Sequence, residues 1–299
     1  MGIPAAIYAK LEGYNPGLSS KDRTVLYMVN DALKHYNSDV KPTFIEATSG
    51  NTGFSLALIC AQRGYDCMLT VPDKISKEKV DALRSVGAKV YICPSSVMPE
   101  DPHSYYSKAA TLNDEIPNSI FLNQYYNKSN IRAHYEMTGP EIWEQTEGKI
   151  THFVAGVGTG GTISGVARYL KEQNPAVKIY GVDPYGSNIE GIGKNFIPAN
   201  IDFNIIDRFI QVQDDQSAVC AQDLACKEGI LVGYSSGAVQ AAILNIRDEF
   251  TAEDMVVGLF ADHGLKYLSK IYNEDWLTQK GLVQASQNGD DLSPRTEAK

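Results

Sequence analysis

Short apolar runs alternate with amphipathic stretches along most of this 299-residue chain, and this alternation restricts the fold more than any other feature of the sequence. The apolar runs have the length and composition of buried strands, and they occupy residues 43–46, 67–71, 89–92, 120–122, 153–157, 178–182 and 256–260. Helical patterns lie between them, for example at residues 51–62, 77–86, 105–116 and 160–171. Strand–helix alternation predicts an α/β fold with parallel sheets covered by helices on both faces.

The alternating pattern divides into two units, with a seam near residues 127–135. We predict an N-terminal α/β domain over residues 1–130 and a C-terminal α/β domain over residues 131–283. From about residue 284 the chain is polar and rich in Asp, Ser, Gly and Pro, which predicts a disordered tail at residues 284–299.

Composition excludes several classes of partner. The net charge is -9 and the isoelectric point is about 5.1, so no basic patch favours nucleic acid or an anionic membrane. No apolar run approaches membrane-spanning length, and the first residues lack the pattern of a signal peptide. The five histidines show no metal-ligand spacing, and the five cysteines form no C-x-x-C pair. We therefore predict a cytoplasmic protein with reduced thiols and without a bound metal, nucleic-acid partner or membrane partner.

Lys21 is the first candidate for chemistry. A strand-like segment at residues 7–12 leads toward it, and Val25, Met28 and Val29 after it recur at the spacing of one helix face. Ser19 or Ser20 is the expected N-cap, so Lys21 is predicted where a loop becomes a helix. The positive end of the helix dipole and Arg23 would both disfavour its ammonium form, which would make Lys21 a nucleophile for an aldehyde cofactor. Taken alone, Lys21 would be better interpreted as one of many surface lysines, because most lysines are solvated.

A Gly/Ser/Thr-rich segment at residues 48–53 follows one predicted strand and opens a helix. Its glycines allow the backbone to approach a ligand, while its Thr, Ser and Asn side chains offer hydroxyl and amide groups. At a helix N-terminus this composition favours an anion site suited to a carboxylate. The alternative is a capped turn of the kind that any α/β protein needs.

A second glycine-rich segment, residues 156–162, also joins a strand to a helix. Gly156, Gly158 and Gly161 satisfy G-x-G-x-x-G. Asp183 follows about 27 residues later, near the spacing of roughly 20 residues expected for a dinucleotide site. Two threonines interleave these glycines, and hydroxyls beside backbone N–H groups suit a phosphate monoester better. The pattern alone leaves both interpretations open.

A third segment, residues 233–238, enters another helix and taken alone indicates little more than an N-cap. Its Gly-Tyr-Ser-Ser-Gly spacing matches a hydrolase elbow. However, His263 comes directly after Asp262, which leaves too little chain to build a separate triad arm.

Four motifs occur in one order: Lys21 within residues 15–23, then residues 48–53, 158–162 and 235–238. Together they resemble the pyridoxal-phosphate enzymes of the cysteine synthase and cystathionine β-synthase family, and the likeness runs from Ile7 to Trp276. The resemblance implies the fold-type-II architecture, related to the tryptophan synthase β subunit, with two doubly wound parallel-sheet domains. It also implies pyridoxal 5′-phosphate as cofactor, which displaces the nicotinamide interpretation. Residues 123–127, 133–135 and 262–276 look more like the cystathionine β-synthases.

The resemblance also implies roles for single residues. Lys21 would hold the cofactor as an internal aldimine and act as acid and base at Cα and Cβ. Ser235 would bond the pyridine nitrogen, and its neutral hydroxyl suits β-elimination, while Asn51 would bond the cofactor's 3′-oxygen. The cofactor phosphate would lie against Gly158, Thr159, Gly160, Gly161 and Thr162. The substrate would contact Thr48, Ser49, Gly50, Asn51, Thr52, Gln124 and Asn195. Residues 46–130 would form a mobile lobe that closes over it.

The sequence departs from the family pattern at three places. The N-terminal segment with an I-G-N-T-P-like motif is absent, and only two residues separate Ser187 from Glu190. Asn195 stands where relatives often carry an acidic residue, so a base near the bound substrate would be missing. We expect weaker activity or altered specificity from that change.

The resemblance implies a β-replacement reaction. Serine, O-acetylserine or cysteine would lose its Cβ substituent to give an aminoacrylate, to which sulfide or a thiol then adds. Two alternatives stay open: a lyase that converts cysteine and water to serine and hydrogen sulfide, and a non-catalytic regulatory homologue. By analogy with its relatives, the protein is expected to be a homodimer whose partners are small amino-acid and thiol or sulfide substrates.

Overall fold

The computed structural model describes residues 2–48, 50–98, 100–184, 189–193 and 197–282. The predicted tail at residues 284–299 and the candidate residues Ser49 and Asn195 lie outside these described residues. Within them the chain forms two all-parallel sheets, which confirms the predicted α/β class.

The strands pair only with parallel neighbours in each sheet. In chain order they are β1 (Ala6–Leu11), β2 (Thr43–Ala47), β3 (Asp66–Pro72), β4 (Lys89–Cys93), β5 (Ser119–Phe121), β6 (His152–Gly156), β7 (Lys178–Pro184), β8 (Arg208–Val212) and β9 (Met255–Phe260). The five-stranded sheet has the order β1-β9-β6-β7-β8, and the four-stranded sheet has the order β4-β3-β2-β5.

Helices connect the strands, as parallel pairing requires. The α-helices are α1 (Lys21–Lys34), α2 (Asn51–Arg63), α3 (Lys77–Ser85), α4 (Tyr105–Glu115), α5 (Ser129–Ala133), α6 (Gly139–Gln145), α7 (Gly161–Gln173), α8 (Asp214–Glu228), α9 (Tyr234–Asn245) and α10 (Glu274–Gln279). A π-helical turn, His134–Thr138, joins α5 to α6. Short 3-10 turns lie at Glu12–Tyr14, Phe203–Ile205, Arg247–Glu249 and Gly264–Tyr267.

The first strand belongs to the five-stranded sheet, because β1 pairs with β9 from Ala6 opposite Met255 to Leu11 opposite Phe260. The sequence prediction had grouped these residues with the rest of residues 1–130, whose other strands form the four-stranded sheet. The domain boundary near residue 130 and the lobe at residues 46–130 stay predictions.

Each sheet separates two apolar clusters because alternate strand residues face opposite sides. Phe153 and Ala155 pack in the cluster that includes α7, while Val154 between them packs in the cluster that includes α8 and α9. In the four-stranded sheet, Phe44 faces α1 and α2, and Ile45 faces α4. Helices therefore cover both faces of both sheets, which leaves the ends of the strands uncovered.

The part of the chain that the structure describes contains neither a membrane-spanning helix nor a metal-binding cluster. No helix there is long and apolar enough to cross a membrane. No group of three or more His, Cys, Asp or Glu side chains could hold a metal ion there.

Candidate active site

A pocket lies where strands of both sheets end and helices begin, which is the usual position of ligand sites in parallel α/β folds. Helices α1, α2, α7 and α9 all start at it. The structure brings together eleven of the predicted site residues along its wall: Lys21, Thr48, Gly50, Asn51, Thr52, Gln124, Gly158, Thr159, Gly160, Thr162 and Ser235. Gly161 is the first residue of α7 and lies beside this wall.

The loop before Lys21 is fixed against the end of β9. The backbone N–H of Ser20 donates to Ala261 O at 2.9 Å, and that of His263 donates to Leu18 O at 3.2 Å. Ser20 precedes the first residue of α1 but makes no side-chain capping bond, whereas Ser19 Oγ accepts from the backbone N–H of Lys21 at 3.4 Å. Lys21 therefore begins the helix, as the sequence predicts.

The amine of Lys21 loses its proton more easily than an ordinary lysine. Burial lowers its pKa, and the attraction of Asp262 and Glu12 opposes this effect. The pKa of Lys21 is therefore lowered, as the sequence predicts, but the prediction that Arg23 helps to lower it is wrong. Arg23 is neutralised by Glu12 and by Glu141, at N···O distances of 2.6 to 2.9 Å.

Thr48 and Thr52, at the end of β2 and the start of α2, have side chains that are ordered by hydrogen bonds within the chain. Thr48 Oγ1 accepts from the backbone N–H groups of Gly50 at 3.2 Å and Gly53 at 3.3 Å. Thr52 Oγ1 donates to Gln124 Oε1 at 2.7 Å, and Gln124 Nε2 donates to Ala47 O at 3.3 Å. The end of β2, the start of α2 and Gln124 thus hold one another in place at the pocket wall.

Asn51 is held by charged groups on two sides. Its Nδ2 donates to Asp262 Oδ2 at 2.7 Å, and its Oδ1 accepts from Lys266 Nζ at 2.7 Å. The hydroxyl of Tyr267 also donates to Asp262 Oδ2, at 2.7 Å, and burial raises the pKa of Tyr267 well above its ordinary value. Sequence reasoning missed Asp262 as a site residue. Its position just after β9 could have indicated it, because residues 48–53 were selected for following a strand in the same way.

The turn from β6 to α7 leaves no room for larger side chains. A Cβ on Gly158 would lie 2.0 Å from Gly191 O, and a Cβ on Gly161 would lie 2.0 Å from Asn130 Oδ1. Gly160 has a φ of +85°, which lies in the left-handed region that favours glycine. Glycine is therefore required where this turn packs against Gly191 and Asn130, and the first N–H groups of α7 have no intrahelical partner.

A buried polar network supports this turn from below. Thr159 Oγ1 accepts from Asn130 Nδ2 at 3.0 Å. His134 Nε2 lies 3.2 Å from Thr162 Oγ1 and 3.0 Å from Thr24 Oγ1, which belongs to the same helix as Lys21. Burial, assisted by nearby cations, lowers the pKa of His134 well below its ordinary value, so the ring is neutral. The hydroxyls of Thr159 and Thr162 are thus oriented by neutral partners, Asn130 and His134.

Glu190 joins two lysines at the edge of the pocket. Lys79 from α3 donates to Glu190 Oε2, and Lys270, beyond β9, donates to Glu190 Oε1. Burial alone would raise the pKa of Glu190, but the attraction of the two lysines outweighs it and lowers the pKa. Sequence reasoning missed both pocket residues, Lys79 and Glu190, and no local pattern could have paired residues so far apart.

The groups in this pocket fit pyridoxal phosphate. An amine of lowered pKa suits a link to an aldehyde, and the N-terminus of α7 with the hydroxyls of Thr159 and Thr162 suits a phosphate. Ser235 in the first turn of α9 and Asn51 offer neutral polar groups between them.

The family model of the pyridoxal-phosphate dependent enzymes matches residues 1–262, and the chain belongs to that family. Pyridoxal phosphate is its cofactor, as the sequence predicts, and its two parallel sheets are the predicted fold-type-II architecture.

Within that family the chain is similar to curated cystathionine β-synthases. It is 44% identical to the one from Apis mellifera over 95% of this chain, and 40% identical to the one from Saccharomyces cerevisiae over 94%. The matches cover 59% and 61% of those proteins, so the chain spans about three-fifths of their length.

A solved structure of a hydrogen sulfide-producing enzyme from Fusobacterium nucleatum is also similar. The TM-score is 0.83 at 36% identity, and the match covers 89% of this chain and 93% of that one.

Proposed function

We propose that this chain catalyses β-replacement on a small L-amino acid, with a thiol or sulfide as nucleophile. One observation carries the proposal: Lys21, with its lowered pKa, lies in one pocket with two sets of polar residues. Thr48, Gly50 and Thr52 are proposed to bind the substrate carboxylate, and the turn from Gly158 to Thr162 is proposed to bind the phosphate. The similarity to cystathionine β-synthases over nearly the whole chain supports serine and homocysteine as the pair of substrates.

Each wall of the pocket has a separate task in this proposal. Pyridoxal phosphate, when bound, withdraws electrons from Cα of a linked amino acid, so that a proton at Cα and a group at Cβ can leave. Lys21 carries the cofactor and moves the proton at Cα. The backbone N–H groups and hydroxyls of residues 158–162 hold the phosphate, and Ser235 contacts the pyridine nitrogen.

The substrate carboxylate binds at the other wall. Thr48, Gly50 and Thr52 surround the start of α2, whose N–H groups and dipole favour an anion. Gln124 is held by Thr52 and Ala47, so its amide has a fixed orientation before substrate arrives. Ser49 and Asn195 keep their proposed roles from the sequence, outside the described residues. Asn195 would not act as a base, because a carboxamide does not take up a proton near neutral pH.

The experiment is a product analysis with the purified chain and added pyridoxal phosphate. Serine with homocysteine should yield cystathionine and water, and serine or O-acetylserine with sulfide should yield cysteine. Lys21→Ala should lose the visible band of the bound cofactor and at least about a thousandfold of the rate. A wild-type chain without that band, after incubation with the cofactor, would instead support the non-catalytic regulatory homologue.

A second candidate function is sulfide release from cysteine and water, with serine as the other product. The similarity to a hydrogen sulfide-producing enzyme along nearly the full length of both chains favours it. The same pocket serves both reactions, since both replace a group at Cβ and differ in the leaving group (hydroxyl or thiol) and in the incoming nucleophile (thiol or water). Sulfide and serine formed from cysteine alone would support this function. No sulfide under conditions where serine and homocysteine react would eliminate it.

We also propose that the protein is a cytoplasmic homodimer and that residues 46–130 close over the substrate. Helix α3 follows β3 of the four-stranded sheet and is tied to the other side of the pocket through Lys79 and Glu190. Such a tie suits a lobe that opens and closes over the pocket. Sedimentation of the holoenzyme tests the dimer, and small-angle scattering with and without substrate tests the closure.

A further inference from the structure

Lys266 lies behind Asn51, outside the candidate active-site pocket. It belongs to the 3-10 turn Gly264–Tyr267 and is partly buried in a groove that also includes Phe54, Leu265 and Leu268. Its Nζ donates to Asn51 Oδ1 and to Gly17 O, each at 2.7 Å, and lies 5.4 Å from the ring centroid of Phe54. The amine therefore links three segments of the chain, but Asn51 separates it from the pocket.

These contacts determine which end of the Asn51 amide faces which neighbour. An ammonium group only donates hydrogen bonds, so the atom that faces Lys266 must be the carbonyl oxygen. A carboxylate only accepts, so the atom that faces Asp262 must be the amide nitrogen. Both partners therefore impose the same orientation, and a rotated amide would lose both bonds. The amide nitrogen has a second hydrogen, for which the described residues provide no acceptor.

The charge on Lys266 strengthens that second donor. An amide whose oxygen accepts from a cation is polarised, and its N–H groups bind an anionic oxygen more strongly. Burial lowers the pKa of Lys266 to about 8; Asp262 and Asp22 oppose this effect, and Lys79 and Lys21 add to it. The amine is therefore still largely protonated near neutral pH and loses this charge in mildly alkaline solution.

We propose that Lys266 is a positioning residue that keeps the Asn51 amide turned with an N–H toward the cofactor's ring oxygen. This inference rests on the proposed role of Asn51 at the cofactor and is independent of which nucleophile the enzyme uses. Lys266 touches neither substrate nor cofactor, so its effect on the reaction passes through Asn51.

The test is a double-mutant cycle on the holoenzyme. The variants are Lys266→Met, Asn51→Ala and the combination of both. For each, the dissociation constant of pyridoxal phosphate and the absorption band of the bound cofactor are measured from pH 6.5 to 9.5. Lys266→Met should weaken cofactor binding about tenfold and shift the band in the same direction as Asn51→Ala. Adding Lys266→Met to Asn51→Ala should cause no further change.

Three comparisons make the result decisive. Lys266→Arg keeps a cationic donor and should restore most of the affinity, whereas Lys74→Met, at an exposed position, should change nothing. If Lys266→Met does not fold, Lys266→Gln replaces it in the cycle, because its amide still occupies the site without the charge. Additive effects of the Lys266 and Asn51 changes would overturn the positioning role. A wild-type chain that binds no cofactor would overturn the proposed function together with this inference.

Discussion

The two walls of the pocket are held in place by different kinds of interaction. The proposed phosphate side, residues 158–162, rests on a buried network of neutral groups that includes Asn130 and His134. The proposed substrate side, at the start of α2 and α3, is tied to the rest of the chain by the ion pair of Lys79 with Glu190.

This difference suits the two ligands. Neutral buried hydrogen bonds are insensitive to salt and keep a site rigid, which a permanently bound cofactor requires. Partly exposed ion pairs each contribute little to stability and are weakened by salt. A wall held by such pairs can therefore open away from the rest of the pocket and close again. We infer that the cofactor side is pre-organised and that the substrate side is adjustable.

The largest expected effect on cofactor affinity comes from filling the proposed phosphate side. In Gly158→Ala the new Cβ would lie 2.0 Å from the backbone oxygen of Gly191, so the turn itself would have to move. We expect the affinity for pyridoxal phosphate to fall by about a hundredfold, equivalent to the upper range of overpacking costs. Equilibrium dialysis of the cofactor measures this. Thr162→Ser, which keeps the hydroxyl beside His134, is the matched control and should stay within about threefold of wild type. Equal losses in both variants would show that the space around Gly158 is not what matters.

The proposed substrate side contains a buried carboxyl group that lowers the free energy of unfolding by an amount that depends on pH. Glu46 in β2 is 1% exposed, and burial raises its pKa from 4.5 to about 8. Between these values the unfolded chain releases the proton while the folded chain keeps it, so this group reduces stability as pH rises from about 4.5 to about 8. Glu46→Gln should therefore be more stable than wild type by about 2 to 4 kcal/mol at pH 8 and nearly equal to it at pH 4.5.

Urea unfolding at several pH values measures this difference. Asp183→Asn in β7 is the matched control on the other sheet, because burial also raises the pKa of Asp183 but its side chain is more exposed. We expect a smaller effect of the same sign. A stability difference for Glu46→Gln that does not change with pH would mean that the carboxyl remains ionised in the folded chain.

An intermediate effect is expected from the network below the phosphate side. Thr24→Val keeps the shape of a fully buried side chain but removes the hydroxyl that contacts His134. We expect a loss of about 1 to 2 kcal/mol in unfolding free energy and cofactor binding weakened about threefold, with the KM for the amino acid unchanged. Titration of the cofactor and steady-state kinetics separate these quantities. A rise in KM without weaker cofactor binding would mean that the network serves the substrate side instead.

The sequence predicts the phosphate side better than the substrate side, for a physical reason. Glycines and threonines between a strand and a helix form a local pattern, and residues 158–162 are consecutive. The bonds of Lys79 to Glu190 and of Lys266 to Asn51 join residues 111 and 215 positions apart, so only the folded chain brings them together. The local sequence around a lysine does not indicate which distant residue it will contact.

Strands and helices were likewise predicted where the sequence has a strong local pattern. Buried strands such as β3 and β6 are continuous apolar runs, and the sequence places them within one or two residues. Strand β8 at the sheet edge was missed, because three of its five residues are exposed and its apolar run is interrupted. Helix α8, whose apolar face is weak in the sequence, was missed with it.

The smallest expected effect concerns the ion pairs that hold the substrate side. Glu190→Gln removes the charge that Lys79 and Lys270 share, and the side chain of Glu190 is 28% exposed, so we expect a change of only about 0.5 to 1 kcal/mol. Amide hydrogen exchange of α3 should become about two- to fivefold faster, while exchange in α7 stays the same. Raising the salt concentration should make wild type resemble the variant, because salt screens partly exposed charges.

The exposed pair of Lys77 and Asp81 on the same helix provides the control for this last measurement. Asp81→Asn also removes an ion pair from α3, but this pair joins neighbouring turns of one helix and reaches no other part of the chain. We expect exchange in α3 to stay within about twofold of wild type. If Asp81→Asn accelerated α3 as much as Glu190→Gln does, local helix fraying would account for both results. If Glu190→Gln accelerated α7 equally, the two walls would be one cooperative unit, and the contrast between a rigid cofactor side and an adjustable substrate side would be wrong.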